Sequence, residues 1–149
     1  MSEHTAPLPA ALDELVDDFA SVSARERLEL LLELSDELPA LPERYAGHAE
    51  AMEQVHECQS PLFLAVEVDD DRRVHVFFDA PPESPTTRGF AGILHTGLDG
   101  LAADEVLAVP DDAPYRFGLA EAVSPLRLRG MVAMLSRVKR QVRARLAAA

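Results

Sequence analysis

Cys58 is the one cysteine in the chain, set in Val55-His56-Glu57-Cys58-Gln59-Ser60-Pro61 just ahead of an apolar run. A single thiol cannot close an internal disulfide, build a thiolate zinc site or hold an iron–sulfur cluster by itself. Two readings remain. It is either an inert buried cysteine, since a free cysteine behaves as a small hydrophobe, or a nucleophile. The neighbours favour the second, because His, Glu, Gln and Ser suit a solvated loop, and reactive groups concentrate on loops carried by a rigid scaffold. His4, His48, His75 and His95 show no metal-ligand spacing among themselves, so no metal is assigned. The one lysine, Lys139, lies in a basic tail and is a poor candidate for a pyridoxal-phosphate Schiff base. The chain is expected to carry no such cofactor itself.

The scaffold that must present this thiol is bounded by size and charge. A length of 149 residues with 48% hydrophobic content corresponds to a single domain, 1–149, able to bury a core without staples. No uncharged apolar stretch approaches the length of a membrane span, and Met1-Ser2-Glu3-His4 lacks the basic and apolar regions of a signal peptide. A cytoplasmic, reducing location is expected, where one thiol stays free. The net charge of -12 disfavours nucleic acid, whose phosphates require a surplus of Lys and Arg. All 26 acidic residues precede Ser124, whereas seven of the 14 basic ones follow it: Arg127, Arg129, Arg137, Lys139, Arg140, Arg143 and Arg145. That tail reads as a solvated helix face, or as one half of a docking surface, since complementary charge steers encounter.

Leu12, Leu15, Val16 and Phe19 recur at helical spacing and predict a helix over Ala10 to Ala20. Ser23-Ala24-Arg25-Glu26 has the capping-box pattern and opens a second helix expected to bury Leu28, Leu31, Leu32 and Leu38 before Pro39 and Pro42 end it. Residues 43–53 read as a loop with some helical character. Leu62 to Val68 and Arg73 to Phe78 predict an antiparallel hairpin across the Asp69-Asp70-Asp71 turn, with a short third strand near Val55 leading into the Cys58 loop. Three prolines between Asp79 and Pro85 stop the sheet. Helices follow over Arg88 to Leu98, closed by Gly100, then Ala103 to Val109 and Tyr115 to Ala122. Ser124 and Pro125 form an N-cap with proline at the first helical position, and a last helix runs to about Leu146 with Leu128, Met131, Leu135, Val138 and Val142 as its apolar stripe. Met131 and Met134 read as core filling. The fold class is α+β, a small antiparallel three-stranded sheet packed against helices, with Cys58 at a loop tip.

Three segments, in this order and spacing, resemble the SufE/CsdE family of sulfur-acceptor proteins. They are Leu38-Pro39-Ala40-Leu41-Pro42-Glu43, Val55-His56-Glu57-Cys58-Gln59-Ser60, and Ser124-Pro125-Leu126-Arg127-Leu128-Arg129-Gly130-Met131 with Met134. The resemblance runs from about the second helix to the end. It implies an α+β fold shared with IscU-type cluster scaffolds. It also implies that Cys58 takes a sulfane sulfur from a pyridoxal-phosphate cysteine desulfurase (SufS-like), carries it as a persulfide and passes it to an iron–sulfur scaffold (SufB-like), stimulating the desulfurase. The pyridoxal phosphate would reside on that partner. Arg127 matches a motif arginine near the active loop, where its charge would favour the thiolate or persulfide anion. Such scaffolds need several thiolate or imidazole ligands, and one thiol fits a carrier instead. A monomer or weak homodimer is expected.

The chain departs from the family at two places. Glu57 stands where the family usually has glycine, and a carboxylate pointing the same way as the thiol should disfavour the thiolate. Asp79-Ala80-Pro81-Pro82-Glu83-Ser84-Pro85 replaces a segment of Asp-Ser-Asp type, so no functional acid is carried over to Asp79 or Glu83. These changes fit a diverged paralogue served by a rhodanese-type sulfurtransferase as well. His56 could accept a proton, although its default reading is an exposed bystander. Two rivals differ in class: a regulatory interaction module that uses Cys58 only for packing, and a thiol hydrolase, for which the sequence shows neither an oriented base nor an oxyanion site.

Overall fold

The computed structural model describes residues 6–148, so the Met1 to His4 start lies outside the described residues. Among these residues five α-helices surround one three-stranded antiparallel sheet. The order is α1 (Ala10–Ala20), α2 (Ala24–Glu37), β1 (Glu53–Gln54), β2 (Phe63–Val68), β3 (Val74–Asp79), α3 (Pro85–Leu98), α4 (Ala103–Leu107) and α5 (Pro125–Ala148). No helix among them is long and apolar enough to cross a membrane. The α+β architecture predicted from the periodicities is the one found.

β2 is the central strand and buries Leu64, Ala65 and Val66 in succession. It pairs with β3 from Phe63 opposite Asp79 to Val68 opposite Val74, and with β1 through two residue pairs only. The outer edge of β3 is closed rather than open. Val74 donates to Leu101 O and accepts from Gly100 N–H, and the Val76 N–H donates to the Asp99 carboxylate at 2.9 Å. Ladder groups left bare would invite edge-to-edge pairing.

α5 lies against β2, burying Leu128, Met131, Met134, Leu135, Val138 and Val142 as its predicted stripe requires. α3 is the hub among the helices, touching α1, α2 and α5. Its packing on α2 depends on a missing side chain: a Cβ on Gly92 would stand 2.5 Å from the Leu34 carbonyl oxygen, inside any real contact distance. The Ser23 capping box forms in full, the Ser23 hydroxyl accepting from Glu26 N–H and the Glu26 carboxylate from Ser23 N–H. A cap of this kind contributes about 1 kcal/mol.

Three expectations are corrected. Leu28 and Leu32 are 38% and 47% exposed. The apolar run in α2 is wider than one helical stripe, and the face turned to α3 carries Leu31, Leu34 and Ser35, with Leu38 following. Tyr115 to Ala122 is not one helix but two 3-10 turns, Ala113–Phe117 and Leu119–Glu121, broken where Gly118 takes φ +67°. The third strand ends one residue before Val55, which is fully buried at the mouth of the loop that follows.

Candidate functional site

The loop that carries Cys58 is built from both ends. Val55 N–H donates to Leu62 O at 2.9 Å, closing residues 56–61 into the β1–β2 connection, and Cys58 N–H donates back to Val55 O at 3.2 Å. This turn directs the Cys58 side chain inward while His56, Glu57 and Gln59 remain exposed. At the far end the Ser60 hydroxyl donates to Thr87 Oγ1 of α3 at 3.1 Å, and Thr87 is buried.

Cys58 rests on α5. Its Sγ lies 3.8 Å from the Gly130 carbonyl oxygen, a weak thiol hydrogen bond, and the side chain packs partly against the core. Gly130 makes this approach possible. A Cβ there would fall 3.1 Å from Sγ and 3.4 Å from the Cys58 Cα, tighter than a relaxed contact. A solvated loop therefore carries a half-buried thiol.

Beside it the loop is tied to α5 by charge. Arg137 Nη2 lies 2.9 Å from Glu57 Oε1, and Arg137 Nη1 donates to Glu57 Oε2 at 3.1 Å, a two-point pair. The same guanidinium stands 3.3 Å from Glu53 of β1. Glu53 is further held by Arg140 and by the Gln141 side-chain amide, whose oxygen accepts from Val66 N–H of β2.

These groups set the state of the thiol. Burial first, and then the Glu57 charge, push the Cys58 thiol from 9.0 up to about 11, with Arg137 opposing. The hydrogen bond from Arg137 holds the Glu57 carboxyl below its ordinary range. At pH 7 only about one docked thiol in ten thousand is then ionised, too few for efficient attack by a thiolate.

The sequence-derived residues fall around this point unequally. Arg127 is exposed in the first turn of α5, its backbone N–H donating to Ser124 Oγ at 3.2 Å, and its guanidinium makes no hydrogen bond or ion pair among the described residues. Residues three and four apart share a helix face, so Arg127 lies one turn before Gly130 and Arg137 two turns after it. The cation that acts on the thiol is Arg137. His56 is exposed, and its charge acts on the Glu57 carboxylate.

The basic tail is not simply a solvated face. Lys139 is buried and donates to Val109 O at 2.7 Å and to Asp111 at 2.9 Å, and Arg145 donates to Val66 O at 2.9 Å. Arg137, Arg140 and Arg145 thus staple α5 to the sheet and its β1–β2 loop, and Lys139 staples it to the loop after α4. Sequence reasoning passed over Arg137 and Thr87. Arg137 carried one usable signal, its seven-residue spacing from Gly130 on the same face.

Known proteins bear on this arrangement. The family model described as an Fe-S metabolism associated domain, SufE, matches residues 13–142. The chain is 57% identical to uncharacterized SufE-like proteins of Mycobacterium tuberculosis strains CDC 1551 and H37Rv, over 93% of this chain and 97% of theirs. It is 28% identical to SufE-like protein 1, chloroplastic/mitochondrial, of Arabidopsis thaliana, covering 90% of this chain and 35% of that one. A hypothetical protein of Thermus thermophilus, known from its solution structure, superposes with a TM-score of 0.83 at 37% identity, covering 95% of this chain and 99% of the other. With its half-sheltered single thiol on the β1–β2 loop, the chain belongs to the SufE family and, with it, to iron–sulfur metabolism.

Proposed function

We propose that this protein accepts a sulfane sulfur on Cys58 from a pyridoxal-phosphate cysteine desulfurase and delivers it for iron–sulfur cluster assembly. The observation that carries the reading is the placement of the chain's one thiol at the tip of a short loop resting on Gly130. A loop tip offers access to a partner's active site, and membership of the SufE family supplies the chemical context.

In the transfer step the Cys58 thiolate attacks the outer sulfur of the donor's cysteine persulfide. A sulfur–sulfur bond forms on Cys58 as the donor's own sulfur–sulfur bond breaks, and the donor cysteine leaves as a thiolate. The proton lost from Cys58 passes to solvent or to the donor, and no external oxidant or reductant is needed. Rates of such exchange depend on thiolate fraction, leaving-group pKa and access. The docked thiol is poor in the first and third, so the loop reacts from an extended position and shelters the sulfur again between partners. Arg127, exposed one turn from Gly130, would meet the anion or the partner once the loop is out. Delivery to a SufB-like scaffold reverses the same exchange.

The test is intact mass after incubation with a cysteine desulfurase and cysteine, for wild type and Cys58→Ser, with and without a thiol reductant. A reducible gain of about 32 Da on wild type alone is expected. No gain, with a gain instead from a rhodanese and thiosulfate, would transfer the role to another donor. No gain from either would leave a regulator that does not carry sulfur.

A further inference from the structure

Glu57 and Arg137 are positioned for a task that neither the thiol chemistry nor the packing of the sheet requires. Glu57 sits on the loop, next to Cys58, and Arg137 sits on α5. Their two-point pair at 2.9 and 3.1 Å is the one ion pair that joins the reactive loop to the helix beneath it among the described residues. We propose that Glu57 is a positioning residue, whose ion pair with Arg137 latches the Cys58 loop against α5 and sets how often the thiol is presented. This rests on the reading that Cys58 reacts from an extended loop.

Three features make the pair a latch and not a permanent staple. Arg137 is shared between two carboxylates, one on the loop and one on β1, with Glu53 at 3.3 Å. Glu53 is fixed independently by Gln141 and Arg140, so Arg137 keeps an anionic partner when Glu57 departs. Removing one member of a buried pair strands the other, and here the Glu53 charge lessens that cost. Glu57 itself is 47% exposed and returns to water with little desolvation to reverse. The loop's other hydrogen bonds to the helices, the weak thiol contact to Gly130 and the Ser60 bond to Thr87, are single ones. A pair of this exposure shifts the docked-to-extended ratio by about fivefold, enough to modulate access without locking the loop. The electrostatic effects of the two residues on the thiol are opposite in sign, while their effects on a latch are the same. That contrast separates the two roles.

The experiment measures the rate of Cys58 alkylation by iodoacetamide, an uncharged reagent, at pH 8 on the intact protein, for wild type, Glu57→Gln, Arg137→Gln, Arg137→Lys and the double variant Glu57→Gln with Arg137→Gln. Thermal melts by circular dichroism confirm that each is folded, and Arg137→Lys guards against loss of the charge that faces Glu53. A latch predicts that both single variants label about fivefold faster than wild type, and that the double variant is no faster than either. Arg137→Lys, which keeps the charge but loses the fork, also labels faster. Raising salt from 50 mM to 1 M accelerates wild type and leaves the variants unchanged. A field effect alone also makes Glu57→Gln faster but differs at the other variants: Arg137→Gln slower, Arg137→Lys unchanged and the double variant multiplicative, and any of these three overturns the latch. Because labelling needs no sulfur donor, a failed latch leaves persulfide transfer standing, and a failed mass gain leaves the latch measurable.

Discussion

The two connections of the sheet solve the same geometric problem with opposite means. Between β2 and β3 the Asp69 carboxylate accepts from Asp71 N–H at 2.9 Å and Arg73 N–H at 3.0 Å, and Asp69 and Arg73 close the turn through their backbones. The bonds that close that turn lie within five residues, and from outside it Ala103 N–H donates to Arg72 O at 2.9 Å. Between β1 and β2 the backbone supplies one closing bond and one turn bond, and the rest comes from Thr87, Gly130 and Arg137, residues 27 to 80 positions away. A turn made by its own residues cannot leave the fold without unfolding. A loop held by distant partners can be released while the strands stay paired, and the Cys58 thiol is on the second kind.

The widest gap between docked and released states should appear in the titration of the thiol. Burial and the Glu57 charge push the docked Cys58 thiol up to about 11, against 9.0 for an unperturbed thiol. Two units correspond to roughly a hundredfold difference in thiolate at pH 8. Because the folded value is raised, docking is fully stabilised below about pH 9 and weakens as pH rises toward 11, where thiolate formation favours the extended loop. Thiolate absorbance followed against pH, native and in denaturant, measures both midpoints; a native midpoint at the ordinary value would mean the thiol is not sheltered in solution.

Next in size is Gly130→Val. A Cβ alone meets Sγ at 3.1 Å, and a branched side chain reaches further into the loop's footprint. Iodoacetamide labelling should rise by about tenfold or more, the equivalent of roughly 1.4 kcal/mol against docking. The helix itself gains by losing a glycine, so the melting temperature should change little. A large loss of stability with unchanged labelling would show that Gly130 serves the core and not the loop. Thr87→Val is a milder version, removing the partner of Ser60 while keeping the buried volume. One hydrogen bond of about 1 kcal/mol predicts labelling about fivefold faster.

The same division explains what was legible in the sequence. Alternating and helical periodicities located the hairpin, α1 and α5, because a strand or helix stripe is a local property read over a few turns. Ser23 and Glu26 announced the start of α2 for the same reason. Leu28 and Leu32 were misassigned because an apolar run wider than one stripe does not say which side meets α3; the choice is made by Gly89 and Gly92, more than fifty residues away. In the site, Cys58 and its loop could be read from composition, and the disfavouring effect of Glu57 on the thiolate from its charge. Arg137 was legible only as a residue on the face of Gly130, since an arginine in a basic helix gives no sign of its partner 80 residues earlier. Lys139 was hidden for the same reason, its partners lying on the loop after α4.

The smallest effect belongs to the β2–β3 turn and serves as the control for the others. Arg72 takes φ +62° there, a left-handed conformation that strains a residue with a Cβ. Arg72→Gly relieves that strain, at the expense of a looser unfolded chain and of the exposed Asp104 pair at 3.6 Å. The expected net is a gain of about 0.5 kcal/mol in a denaturant melt. Labelling of Cys58 should not change, because among the described residues no hydrogen bond or ion pair joins the turn to the β1–β2 loop, and the six β2–β3 pairs between them stay in register. Faster labelling in this variant would mean that the hairpin moves as one body with the Cys58 loop, and the distinction between a fixed turn and a releasable one would fail.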